Sequence, residues 1–495
     1  MLSVSILAGA VAATTVLCIG YVVYNIFLHP LRNFPGPLLC RASPLYRHYK
    51  FLRGDLLFET QRLHEQYGPV VRIRPNELSF IDPEAWRDIY VAHGGSARLG
   101  DMARYDRFYQ WAGPSAPETF VSLNRPYHDS MKRQLAPAFS ERSLQFQEPI
   151  IQGYTDTLIR KLTEVSKDGN PVNLREWFNY YTFDIIGNLG FGSDFGGLES
   201  EQYHPWVKAV SQNVREFAFM QVLMYLGLQR IVHVLSGSSL LRGKILHEHL
   251  TREKVEARIK VEKPRLDIFQ PLLDRKPPLT FAQLMENSTI LITAGSESSV
   301  TLLVAAVSLL TDNPAKLQKL AEEVRSTFNN DDEITIVSVN QLTYLAACLN
   351  EALRCFPAVP PALPRVVPHG GAVIAGHAVP EKTVVAVASW ATNHSERHFK
   401  KALGYHPERF LKDPEFSKDR FEAFQPFGLG HGNCPGRNLA WAETRLALAR
   451  IVYNFDIESV PESRGWTPNR KHTCCGTRSR FGRYSNLFGN CGCPL

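Results

Sequence analysis

Residues 4–28 are almost wholly apolar, and from Met1 to Leu31 the chain carries no Asp, Glu, Lys or Arg. A helix needs roughly 20 such residues to cross a bilayer, so residues 1–28 are expected to form a membrane anchor. Arg32, Arg41, Arg47, Lys50 and Arg53 follow, with only Asp55 close behind. By the positive-inside rule they hold the bulk of the chain on the cytosolic side. A cleaved signal peptide fits less well, because the run is too long, no basic residue precedes it and no clear small-x-small site closes it. Within residues 29–50, Phe34-Pro35-Gly36-Pro37 reads as a stiff hinge, since proline fixes its own φ and restrains the residue before it.

Beyond the hinge the period changes. Residues 70–73 and 77–81, joined through Arg74-Pro75-Asn76, predict a short hairpin, and residues 373–375 and 383–388 predict further short strands. Most of the remaining apolar pattern is helical, without internal repeats or low-complexity linkers. A second long apolar helix is predicted from Phe281 to about Leu310. Thr280 with Gln283 makes a capping box at its start, and Asp312-Asn313-Pro314 stops it. At 1.5 Å per residue it is about 45 Å long, enough to traverse a domain. Its two charges are Glu286 and Glu297, and Ser288, Thr289, Thr293, Ser296, Ser298 and Ser299 would be costly in lipid. A buried core helix with a polar middle is therefore expected. Residues 51–466 read as one catalytic unit, mainly α with a small β subdomain.

Composition narrows little. The chain has 495 residues, 44% hydrophobic and 21% charged, with a formal net charge of +7. That balance excludes a disordered chain and offers no concentrated basic tract for nucleic acid. The nine cysteines are expected as thiols in a cytosolic domain. Four of them, Cys474, Cys475, Cys491 and Cys493, crowd a tail (467–495) that lacks strand alternation. We expect a mis-spliced or frame-shifted terminus there. A zinc site is the alternative, though adjacent Cys474-Cys475 does not match the usual spacing.

The chemistry gathers around Phe427-Gly428-Leu429-Gly430-His431-Gly432-Asn433-Cys434-Pro435-Gly436-Arg437. Its glycines permit tight turns and close approach to a flat ligand. Cys434 precedes a helical stretch, where free N–H groups favour a thiolate; Pro435 has none, so donors start at Gly436. Upstream, Glu351-Ala352-Leu353-Arg354 places Glu351 and Arg354 on one helical face, and Arg409 stands in Pro407-Glu408-Arg409-Phe410. Ala294-Gly295-Ser296-Glu297-Ser298-Ser299 interrupts the long helix with an acid and a hydroxyl.

In this order and spacing, the motifs resemble those of the cytochrome P450 family over nearly the whole chain. The resemblance implies heme b with Cys434 as the axial iron ligand, whose thiolate pushes electron density toward dioxygen. Phe427, Gly430 and Gly436 would shape the cofactor loop. His128, Lys132, Arg133 and Arg365 would meet the propionates, with Lys132 standing where the family usually has Arg, and Gly432 where it commonly has Arg or His. Glu351, Arg354 and Arg409 would form a buried ion-pair network. Glu297 and Ser298 would relay protons, with Gly295 opening room for dioxygen and Ser298 replacing the more usual Thr.

The implied reaction is R–H + O2 + 2e− + 2H+ → R–OH + H2O on a lipophilic small molecule. Electrons would come from NADPH through NADPH–cytochrome P450 reductase, with cytochrome b5 as a further donor, at the endoplasmic reticulum membrane. Lys132, Arg133 and Arg437 would lend positive charge to the face that receives the reductase. Residues 24–37 and Phe183-Asp184-Ile185-Ile186-Gly187 resemble fungal microsomal members of polyketide and terpenoid metabolism. Tyr105, Phe108, Trp111, residues 217–226 and Val359 fall in the family's variable pocket regions. Two rivals stand beside this reading: a heme-thiolate isomerase or dehydratase that does not use dioxygen, and a catalytically defective heme binder with an abnormal tail.

Overall fold

The computed structural model describes residues 2–91, 102–109, 117–121, 125–205, 214–228, 239–261, 265, 267–359 and 362–461. The 467–495 tail and Trp111 lie outside these residues.

The chain opens with an α-helix, Leu2–Val23, that continues as a π-helical turn, Tyr24–Leu28. Side chains such as Leu7, Val16 and Leu17 stand free of the rest of the protein, as a lipid-facing segment requires. Residues 29–50 are less free than a hinge. The Arg72 amide donates to the Pro35 carbonyl at 2.7 Å, and Arg41 Nη2 donates to the Ile26 and Arg32 carbonyls at 3.1 and 2.9 Å. A Cβ on Gly36 would collide with the Arg72 carbonyl, so glycine is what lets this segment lie against the sheet. The N-terminal helix is thereby tied to the first strand.

Five strands form the main sheet: β1 (Val70–Arg74), β2 (Glu77–Phe80), β3 (Ala103–Arg104), β4 (Arg365–Val366) and β7 (Val384–Val387), in the order β1-β2-β7-β4-β3. β1 and β2 make the expected hairpin, while β2 and β7 run parallel. A separate hairpin joins β5 (Ala372–Ile374) to β6 (His377–Val379). β3 and β4 are two residues each, too short to leave a period in the sequence.

The helical core surrounds the central helix, Phe281–Thr311, whose capping box between Thr280 and Gln283 forms as expected. It packs against the helices Leu174–Phe191, Thr343–Cys355 and Arg437–Asn454. Gly295 is the closest point of one crossing: a Cβ there would lie 2.8 Å from Ile186 Cδ1. Its small size therefore lets the two helices pack closely. The Asp184 motif also has a local task. Its carboxylate accepts the amides of Phe195, Gly197 and Leu198 at 3.1, 3.1 and 2.8 Å, fixing the turn after its helix.

Candidate active site

The Cys434 loop is built by turns that side chains would prevent. Gly428 and Gly430 have φ of +71° and +67°, a region that penalises any residue with a Cβ. A Cβ on Gly430 would also strike the Tyr90 carbonyl. The loop is closed by the Cys434 amide donating to the Phe427 carbonyl at 2.8 Å. Phe427 packs on Trp441 with ring centroids 5.6 Å apart, and the Arg437 guanidinium stands 5.6 Å from the Phe427 centroid.

Cys434 lies deep in the molecule, yet its side chain is exposed. A sulfur on the floor of a recess would look this way. Burial pushes the thiol's pKa up, while the Gly436 amide and the charges of Lys132 and Arg437 pull it down. Burial wins, so the helix terminus alone does not make the thiolate; a bound cation would supply the missing stabilisation.

Beside this recess sit several cations. β3 and β4 place Arg104 directly opposite Arg365, where like charges repel unless an anion joins them. Arg365 Nη1 donates to Tyr109 Oη at 2.6 Å, and its guanidinium lies 5.2 Å from the Tyr90 ring centroid. Burial lowers the Arg104 pKa to about 10, with Arg365 adding to the fall. His128 is buried, meets Asp129 at 3.0 Å, and has its pKa lowered by burial and then by Arg104. A heme, with a metal for the sulfur and two carboxylates for the cations, fits this set of residues.

Lys132 lies against the Cys434 loop. Its ammonium donates to the His431 and Asn433 carbonyls at 2.7 and 3.0 Å and to the Asn433 side chain. It clasps the Cys434 loop from the neighbouring helix, Arg125–Leu135. Arg133 stays outside the cluster. It is exposed and its Nε turns back to the Asp129 carbonyl at 3.3 Å, because one residue along a helix rotates the side chain by about 100°. The gap at Gly432 is filled from elsewhere: a Cβ there would lie 3.3 Å from Arg365 Nη2. His431 is exposed.

Behind the loop, Glu351, Arg354 and Arg409 come together with exposures of 0, 0 and 1%. Arg354 grips Glu351 in a fork with both bonds at 2.8 Å, and Arg409 Nε reaches Glu351 Oε1 at 3.1 Å. Arg354 also donates to the carbonyls of Asn393, Ala402 and Gly404, each at 2.7 Å. Asp419, which the sequence did not single out, pairs with Arg409. Arg104 was missed as well. A lone acid in a loop and a two-residue strand carry no pattern that would have revealed them.

On the central helix, Ser298 Oγ donates to the Ala294 carbonyl at 2.7 Å. Such hydroxyl-to-backbone bonds compete with the helix ladder and bend it. Glu297 is partly buried one residue before, and its charge acts on Tyr203. Of the expected pocket residues, Tyr105 and Tyr225 face one another at 5.8 Å and share the Arg74 guanidinium, 5.8 and 4.7 Å from their centroids.

Known proteins match this chain along most of its length. The family model described as Cytochrome P450 matches residues 37–480. The cytochrome P450 monooxygenase tpeC of Talaromyces stipitatus is 41% identical, over 92% of this chain and 90% of that protein. Cytochrome P450 monooxygenase 1 of Neocamarosporium betae is 42% identical, over 90% of each. The averantin hydroxylase of Dothistroma septosporum is 37% identical, over 92% of this chain and 87% of that protein. With this breadth of likeness and a cysteine loop suited to heme, the chain belongs to the cytochrome P450 family and is a heme-dependent, oxygen-incorporating oxidoreductase.

Proposed function

We propose that this enzyme hydroxylates or epoxidises a lipophilic small molecule of polyketide or terpenoid type in fungal secondary metabolism. The observation that carries the proposal is the exposed Cys434 sulfur, with the Arg104–Arg365 pair close to its loop. Cys434 would be the axial ligand, with the loop of Phe427, Gly430 and Gly436 around it. Arg365, Arg104 and His128 would hold the two carboxylates, while Lys132 keeps the loop closed. When bound, heme iron supplies dioxygen activation, with the thiolate favouring O–O cleavage.

The chain's own residues then manage protons. Ser298 Oγ, held by the Ala294 carbonyl, keeps lone pairs free to accept a hydrogen bond and pass a proton on. Glu297 is the nearest acid along the helix to replenish it. Glu351, Arg354 and Arg409 bind no substrate; they keep the segments behind the loop in place.

The apolar helix at the N-terminus supports a single-pass anchor in the endoplasmic reticulum with the catalytic unit in the cytosol. A redox partner is required by the family, and NADPH–cytochrome P450 reductase, assisted by cytochrome b5, suits that location. The averantin hydroxylase among the relatives acts, by its name, on averantin, which supports a small-molecule hydroxylation here.

Cys434→Ala tests the reading. The variant is expected to lose the thiolate-type carbonyl spectrum and all NADPH-dependent turnover, both present in the parent protein. Unchanged spectrum and turnover would reject it. Comparing metabolites of a deletion strain with its parent then identifies the compound that accumulates.

A further inference from the structure

The hydroxyl next to the proton-relay pair behaves unlike its neighbours. Ser296, Ser298 and Thr301 each donate to the carbonyl four residues earlier. Ser299 instead donates across the helix interface to Glu443 Oε1. Glu443 lies on Arg437–Asn454, the helix that starts three residues after Cys434. Ser299 is 2% exposed and Glu443 1%, within the main hydrophobic core.

We propose that Ser299 and Glu443 form a buried staple that fixes the register of Glu297–Ser298 against the Cys434 loop. The inference rests on the heme-thiolate reading above and names two positioning residues for it. Neither touches the reacting atoms.

Three features support the staple. First, the contact joins the two elements whose relative position matters most. A sliding or rolling central helix would move Ser298 relative to Cys434, and a directional hydrogen bond between the two helices adds a specific restraint that non-directional apolar contact lacks. Second, Glu443 is held from a third element: Tyr181 Oη donates to the Glu443 carbonyl at 3.2 Å and meets Thr155 Oγ1 at 3.1 Å. Third, burying a carboxyl costs stability that an apolar residue would not. Burial raises the Glu443 pKa to about 8, with Ser299 as the one group pulling it down. The carboxyl is therefore neutral at pH 7 and acts as a hydrogen-bonding group. Polar groups retained in a core at such a cost are best attested as register-setting devices.

The test uses full-length holoenzyme carrying Ser299→Ala, Glu443→Ala or Glu443→Gln. Amide hydrogen exchange is read across residues 294–302, together with peroxide released per NADPH consumed. The two alanine variants are expected to keep the thiolate-type carbonyl spectrum, exchange roughly five- to tenfold faster in that window, as loss of about one hydrogen bond implies, and release more peroxide. Glu443→Gln, which still accepts from Ser299, is expected to restore both readouts.

Two results overturn the proposal: alanine variants with lower melting temperatures but parental exchange and peroxide ratio, or a glutamine variant as impaired as the alanine one. If Glu443→Ala does not fold, Ser299→Ala, which removes a single oxygen, carries the test. A parent protein without the thiolate spectrum would instead sink the heme-thiolate reading, and the exchange data would still report on the staple.

Discussion

Glu351 and Glu443 are equally buried, at 0 and 1% exposure, on helices that touch one another, yet they are held in opposite ways. Glu351 faces two guanidiniums, Arg354 and Arg409, and its ion pairs are surrounded by carbonyls that take up the remaining Arg354 donors. Glu443 faces a serine hydroxyl and keeps its proton. The difference teaches that burial alone does not set a carboxyl's charge. A cation within contact repays the desolvation, and without one the group neutralises.

The largest expected effect comes from breaking the charged network. Arg354→Ala should cost about 3–5 kcal/mol, because it strips buried Glu351 of its two-bond partner and leaves the Asn393, Ala402 and Gly404 carbonyls without their donor. Denaturant unfolding of the holoenzyme measures this, and a loss below about 1 kcal/mol would show that the network is solvated in practice.

Next comes the pH dependence of the neutral glutamate. Its folded pKa of about 8 lies above the ordinary 4.5, so the folded state keeps a proton that the unfolded chain releases. That stability is fully present below pH 4.5 and is lost as pH rises through about 8. Stability of the parent minus that of Glu443→Gln, followed from pH 4.5 to 8.5, should therefore fall; a flat difference would mean Glu443 is not buried as an acid.

The smallest effect is the substitution itself. Below pH 4.5, Glu443→Gln should lie within about 1 kcal/mol of the parent in thermal unfolding, since one neutral hydrogen-bonding group replaces another. A larger loss there would erase the contrast between the two sites.

The sequence told these regions apart unevenly. Glu351 and Arg354 were legible because i and i+3 share a helical face, and Arg409 because of its surrounding Pro407-Glu408-Arg409-Phe410. Glu443 offered no such sign: an acid inside a mostly apolar helix looks like any solvent-facing residue until its partner helix is in place. Asp419 and Arg104 were hidden for the same reason. Lys132 was legible as a cation near the loop but not as its clasp, because that depends on where the His431 and Asn433 carbonyls point.

The two long apolar helices mark the same boundary. By length and composition both Ser5–Leu28 and Phe281–Thr311 could cross a membrane, but of the apolar 18-residue stretch in each, none is buried in the first and 72% in the second. Hydroxyls and Glu297 in the middle of the second had already argued against lipid. From local pattern alone one could read the family motifs, the long apolar N-terminal helix and the boundaries of the central helix, since each motif or boundary depends on neighbours within a few residues. It took the folded chain to reveal that Gly295 lies against Ile186, that Arg104 stands against Arg365, and that Ser299 reaches Glu443. Those facts depend on side chains far apart in the chain, whose meeting is set by helix packing and strand register.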